Sequence, residues 1–219
     1  MTLAGGMGVV TSIRNADLVA TPWKNGGGVT REVAACPANA GLDTFVWRVS
    51  VADVAQAGPF SRFAGIDRTL VLLAGAGMLL DEARSEGAVH THALTQALDV
   101  ARFAGEAQID ARLIDGATRD FNLMVRRDAA RGELDVWRVT PQQAHEARQE
   151  RSLSADVALL FCSNGPLAVT LGDAQALRLE TGDTLRIDTP DALPCRAEGE
   201  GALLAIGIHY TQRAAKSTR

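Results

Sequence analysis

The chain has 219 residues, 47% of them hydrophobic, and its 22 Lys and Arg against 26 Asp and Glu leave a formal charge of −4 at pH 7. That balance excludes wholesale disorder and any whole-molecule electrostatic grip on nucleic acid or anionic lipid. Three cysteines, Cys36, Cys162 and Cys195, are odd in number and form no CxxC pair, which suits a reducing cytoplasm and no disulfide framework. The first residues lack a basic start leading into a long apolar core, so no secretory leader is expected. The most apolar run, 70–80, is about half of the roughly 20 residues a membrane helix needs. The expected setting is cytoplasmic, with neither nucleic-acid nor membrane partners.

In chain order, Ala16 to Leu18 reads as a short helical turn. Next comes Pro22-Trp23-Lys24-Asn25-Gly26-Gly27-Gly28-Val29-Thr30-Arg31-Glu32. Consecutive glycines give up backbone entropy. They do so either to expose N–H groups in an anion-binding nest beside Lys24 and Arg31 or to form a hairpin turn at Asn25-Gly26 with Trp23 as anchor. A P-loop is excluded, because the lysine precedes the glycines and no GKS or GKT follows. Residues 45–51 alternate strictly, with Phe45, Trp47, Val49 and Val51 on one face and Val46, Arg48 and Ser50 on the other, a strand with one apolar face.

A second helical turn is expected over 51–56. Further strands are expected at 69–73, 109–114, 120–125, 134–139, 157–162, 167–171, 184–187 and 202–208, separated by Gly, Asp, Asn and Pro turn residues. Short strands at regular spacing predict an all-β sandwich, barrel or jelly roll. The polar stretch 141–154 reads as a linker or loop, dividing a large unit, 1–140, from a smaller one, 155–210. The tail 211–219 is expected to fray.

Chemistry concentrates on arginines among polar strand residues. Arg48 and Ser50 share a strand face, Arg68 follows an aromatic-rich segment, and Asp120, Asn122 and Met124 share a face opposite Phe121, Leu123 and Val125. A planar guanidinium grips a carboxylate bidentately while Asn or Ser fixes a second polar group; the competing reading is a set of structural salt bridges. His90-Thr91-His92 places two imidazoles on one strand face, but no third ligand stands near in sequence, so no metal is expected. No GxSxG elbow is present, and Cys162 reads as core. Asp53, Asp67, Asp120, Glu32 and Glu106 show no diagnostic acid–base pairing.

The run Thr21-Pro22-Trp23-Lys24-Asn25-Gly26-Gly27-Gly28-Val29-Thr30-Arg31-Glu32 closely resembles the signature of the HutD/Ves family. So does Trp47-Arg48-Val49-Ser50, followed by Gly58-Pro59-Phe60-Ser61 and Gly65-Ile66-Asp67-Arg68. Phe103-Ala104-Gly105-Glu106, Asp120-Phe121-Asn122-Leu123-Met124 and Arg126-Arg127 resemble its later motifs, in the family's order. The resemblance implies a cupin-type (RmlC-like jelly roll) β-barrel in a two-cupin, or bicupin, arrangement with few short helices, and an association with bacterial histidine utilisation.

It further implies a non-catalytic regulator that senses a carboxylate intermediate such as formylglutamate or urocanate in a metal-free, cofactor-free pocket. Carried across residue by residue, that pocket is expected on Trp23, Lys24, Asn25, Thr30, Arg31, Arg48, Ser50, Arg68, Asp120 and Asn122. Cupin barrels commonly dimerise, so a homodimer is a further expectation. The alternatives are a metal-independent cupin enzyme, an isomerase or hydrolase of a small acid, and a protein-interaction module.

Overall fold

The computed structural model describes residues 8–141 and 150–211. Strand β1 (Val10–Ile13) and a 3-10 turn at Asn15–Asp17 precede β2 (Ala20–Pro22), β3 (Gly28–Cys36), β4 (Trp47–Val54), β5 (Gly58–Pro59), β6 (Ile66–Ala74) and β7 (Met78–Ala83). A 3-10 turn at Ser85–Gly87 leads to β8 (Val89–Leu94), β9 (Val100–Ala104), β10 (Ile109–Leu113), β11 (Thr118–Arg126) and β12 (Ala130–Val139). The remaining strands are β13 (Arg151–Leu153), β14 (Val157–Asn164), β15 (Leu167–Leu171), β16 (Leu177–Leu179), β17 (Thr184–Asp188), β18 (Leu193–Gly199) and β19 (Gly201–Tyr210). No helix among the described residues is long and apolar enough to cross a membrane.

The chain forms two compact units, Leu18–Arg131 and the pair Met1–Asp17 with Gly132–Arg219. In Leu18–Arg131 a six-stranded sheet, ordered β2-β3-β4-β11-β6-β9, faces a four-stranded one, β5-β10-β7-β8. Their inner faces share one core: Ala52, Val54, Leu70, Leu72, Ala101 and Phe103 from the first, Met78, Leu80, Leu94, Ile109 and Ala111 from the second. The other unit pairs β1-β17-β14-β19-β12 with β13-β18-β15-β16 around Leu160, Leu167, Val169, Leu185, Ile187 and Leu203. Each unit is thus a sandwich of antiparallel sheets, and the fold is cupin-like.

The period-2 runs fold as expected, because one buried face fixes the register of each strand. Three expectations are corrected. Residues 51–54 continue β4 and hold no helix: Val51 and Val54 are buried on opposite faces of a strand covered on both sides. The division at residue 140 is replaced by one near residue 131, and residues 10–13 join the second unit, because β1 hydrogen-bonds β17 (Val10 opposite Ile187). Within the expected linker, Arg151–Leu153 is a strand paired with β18; residues 142–149, like 1–7 and most of the expected tail, lie outside the described residues.

Candidate functional site

The triple glycine is a hairpin turn. Gly26 takes φ +70°, where glycine pays no steric penalty. A Cβ at Gly28 would lie 2.4 Å from the Asp53 carbonyl oxygen and 3.2 Å from the Trp23 ring. The amides of Gly26 and Gly27 already donate to the Trp23 carbonyl (3.0 Å) and to Asn25 Oδ1 (3.0 Å). Those bonds hold the turn's own amides, so the loop is a turn and not an anion nest, with Lys24 and Asn25 exposed on it. What the turn does is dock Trp23 on the core of its unit, where its indole N–H donates to Thr30 Oγ1 at 2.7 Å.

From Thr30 inward the site follows the register of four strands. Thr30 lies opposite Ala52 and Glu32 opposite Ser50; Asn122 lies between Ser50 and Leu70, and Met124 between Arg48 and Arg68. Arg68 in turn faces Phe103 across β9. Because side chains alternate along strands, Arg48, Ser50, Arg68, Asp120 and Asn122 share the inner face with Ala52, Leu70 and Leu72. Register shifts after Glu32 in β3 and between Arg119 and Asp120 in β11 are the irregularities by which β-bulges re-aim side chains beside sites.

Arg68, only 8% exposed, is the centre. Its guanidinium donates through NH2 to Asn122 Oδ1 (2.8 Å) and through NH1 to the Ser61 carbonyl (3.4 Å). It lies over the rings of Phe60, Phe63 and Phe103 at 5.2, 5.8 and 5.1 Å, faces that attract a cation. Its Nε has no partner. Asn122 also donates to Asp120 Oδ1, while Asp120 Oδ2 has no partner.

Arg48 donates to Glu32 Oε2 (2.7 Å) and Ser50 Oγ (3.2 Å). Burial pulls Arg68 down to about 10, Asp120 opposing and Arg48 adding to the shift. Burial pushes the Asp120 carboxyl up to about 7 against the pull of Arg68 and Asn122. The cluster therefore sets two guanidiniums beside an acid whose ionisation burial opposes, with Glu32 pairing Arg48 from the rim. An orphaned buried donor is costly, and a carboxylate is the group that would satisfy it.

Of the ten candidate residues, Arg48, Ser50, Arg68, Asp120 and Asn122 converge, and Trp23 with Thr30 sits on the same inner face. Lys24 and Asn25 stay in the exposed turn. Arg31 points to the other face, where Asp53 accepts from it and from Arg119, each at 2.6 Å. That pairing holds Asp53 below the usual carboxylate range, with the Arg119 hydrogen bond the largest cause.

The aromatic walls Phe60, Phe63 and Phe103 are not among the ten candidates, although Phe60 and Phe63 belong to the aromatic-rich segment before Arg68 and Phe103 opens one of the family-like motifs. His92 is legible in the sequence only as half of the His90-Thr91-His92 pair, because its partnership with Glu82 needs two strands brought together. His92 Nε2 lies 3.1 Å from Glu82 Oε2. Among the described residues no three His, Cys, Asp or Glu side chains converge to hold a metal ion.

Residues 15–205 match the HutD family. An uncharacterized 21.2 kDa protein from the hutC 3' region of Pseudomonas putida is 34% identical over 183 residues, covering 83% of this chain and 88% of that protein. A crystal structure of a conserved protein of unknown function from Pseudomonas aeruginosa PAO1 superposes with TM-score 0.79 at 32% identity, over 92% of this chain and 99% of that one. HutD from Pseudomonas fluorescens SBW25, solved in a formate condition, gives TM-score 0.76 at 29% identity, over 93% and 100%.

Proposed function

The chain belongs to the HutD family, associated with histidine utilisation, and from that membership we propose that it binds a small carboxylate intermediate of the pathway in the Leu18–Arg131 unit and regulates the pathway without consuming it. Formylglutamate and urocanate are the candidate ligands. One observation carries the reading: Arg68 is a buried guanidinium with an unpartnered Nε. An Arg donor pair takes a carboxylate in bidentate geometry. The three aromatic rings around it exclude water, which strengthens the ion pair, and Asn122 fixes the guanidinium plane from behind. Arg48 adds positive potential and donates to the Ser50 hydroxyl at 3.2 Å.

A second reading rests on Asp120. A buried carboxyl pushed up to about 7 has the proton affinity of a general acid–base group, so slow isomerisation or hydrolysis of the bound acid is the enzymatic alternative.

Titration calorimetry of the whole chain with histidine, urocanate, formiminoglutamate, formylglutamate and glutamate tests both, with product analysis of every sample. The proposal expects saturable binding of at least one acid, unchanged ligand afterwards, and a loss of 100-fold or more in affinity for Arg68→Met. Turnover abolished by Asp120→Asn would establish the enzyme instead. Silence with all five acids, or full binding by Arg68→Met, would overturn the carboxylate reading.

A further inference from the structure

The wall facing Arg68 carries a pair that the proposed carboxylate contact does not use. Leu80 and Leu94 are fully buried in the core of the unit, so alternation along β7 and β8 turns Glu82 and His92, each two residues on, to the same inner face. The register agrees, with Leu80 opposite His92 and Glu82 opposite His90. Both side chains are largely enclosed, 12% and 15% exposed. The Phe103 ring links this wall to the guanidinium. Its centroid lies 5.1 Å from Arg68 Cζ and 5.9 Å from the His92 ring, which puts imidazole and guanidinium within about 11 Å of one another.

The chemistry of the pair is directional. Burial opposes ionisation of Glu82, but hydrogen bonds from His92 and Arg84 outweigh it and hold the carboxyl below its usual range. An ionised carboxylate only accepts, so the proton on the shared contact belongs to His92 Nε2. In the uncharged ring Nδ1 is then the lone-pair nitrogen, an acceptor. The His90 ring makes a T-shaped contact with the His92 ring at 4.5 Å between centroids.

We propose that His92, oriented by Glu82, is the specificity-determining half of this site and selects carboxylic acids that carry an N–H donor a few atoms from the carboxylate. Both an N-acylated amino acid and an imidazole-bearing acid have that chemistry. The inference rests on the carboxylate reading above: the acid end docks on Arg68, the apolar middle lies along Phe103, and the N–H donates to His92 Nδ1. A buried acceptor built to meet a donor discriminates against an analogue lacking it, because the acceptor is then left unpaired.

The test compares N-formylglutamate with its N-methyl derivative, and urocanate with N-methylurocanate, by titration calorimetry on the intact chain, with propionate as a plain acid. Wild type is expected to prefer the N–H acid at least tenfold in one pair. In His92→Leu that preference collapses below threefold, and in His92→Gln, which restores an acceptor oxygen, part of it returns; circular dichroism checks that each variant is folded. Propionate binding with no N–H preference in wild type would overturn this inference and leave the carboxylate reading standing. A preference that survives in His92→Leu would overturn it too. If no acid, propionate included, binds wild type, the carboxylate reading fails and this one with it.

Discussion

Each unit of the molecule buries an aspartate, and the two are handled in opposite ways. Asp183 accepts from Arg14 NH1 (2.7 Å), the Asn15 amide (2.9 Å) and the Glu180 amide (3.1 Å). Burial would raise its pKa, but those donors outweigh burial and hold it below the usual range. Asp120 receives one side-chain donor, has one oxygen without a partner, and is pushed up to about 7.

The interiors around them differ in the same sense. Both units have an apolar core between their sheets, but the inner face of Leu18–Arg131 also holds Ser50, Arg68, Asp120 and Asn122 beside Leu70 and Leu72, while the second unit buries Asp183 and Thr184. Satisfied polar burial, as at Asp183, ties chain segments together. Unsatisfied polar burial lowers stability; among the described residues, Arg68 Nε, Thr118 Oγ1 and Asp120 Oδ2 are such atoms in Leu18–Arg131, and Thr184 Oγ1 is one in the second unit.

The largest expected effect comes from the packed interior. Leu160 is fully buried there, and Leu160→Ala should destabilise the protein by about 2–5 kcal/mol in chemical denaturation, while the folded fraction binds acid with unchanged affinity. A tenfold loss of affinity in that variant would break the separation of roles between the units.

Next are the two aspartates, whose pH signatures have opposite sign. The folded pKa of Asp120 lies above its ordinary value of 3.8, so its contribution to stability is complete below about pH 4 and is lost as pH rises through 7. Asp120→Asn should therefore flatten stability between pH 5 and 8 and raise it at pH 8 by about 2–4 kcal/mol. The folded pKa of Asp183 is depressed, so its contribution is present above the ordinary range and is lost as pH falls through the folded value. Asp183→Asn should cost stability at neutral pH and reduce acid sensitivity. Denaturant melts across pH of both variants check the pair, and slopes of the same sign would contradict the contrast.

The smallest effect is at the rim. Thr30→Val removes the acceptor of the Trp23 indole and should cost about 1 kcal/mol, read from the same melts. It sharpens the comparison by showing that a satisfied polar contact next to the site behaves like those of the second unit.

The sequence made much of the fold legible because period 2 is a strong signal wherever one face is buried. β4, β6, β11, β14 and β19 were all visible as alternating or continuous apolar runs. β3 was hidden because its first half was read as part of the glycine turn. β7 and β8 were hard to read because Met78–Leu80 runs on from the glycine turn into Asp81-Glu82, and β8 carries only Val89, Ala93 and Leu94 as apolar residues around His90-Thr91-His92. The pairing of β1 with β17 is a contact between residues far apart in the chain, which local pattern cannot reveal.

At the site, strand parity correctly grouped Arg48 with Ser50 and Asp120 with Asn122. Arg31 was misplaced because only the structure shows which β3 face meets the Ser50 side of β4, and that the other face offers Asp53. His92 is visible in the sequence as one of two imidazoles on a strand face, but not its partner Glu82, which lies on a neighbouring strand. Their hydrogen bond depends on the β7–β8 register.

The most direct test of the central claim is a crystal structure of the protein with the acid that titrates. The expected complex holds one carboxylate in Leu18–Arg131, with its oxygens about 2.7–2.9 Å from the Arg68 guanidinium and Nε among the donors, and no ligand between the sheets of the second unit. An acid bound away from Arg68, with Nε still unpartnered, would contradict it.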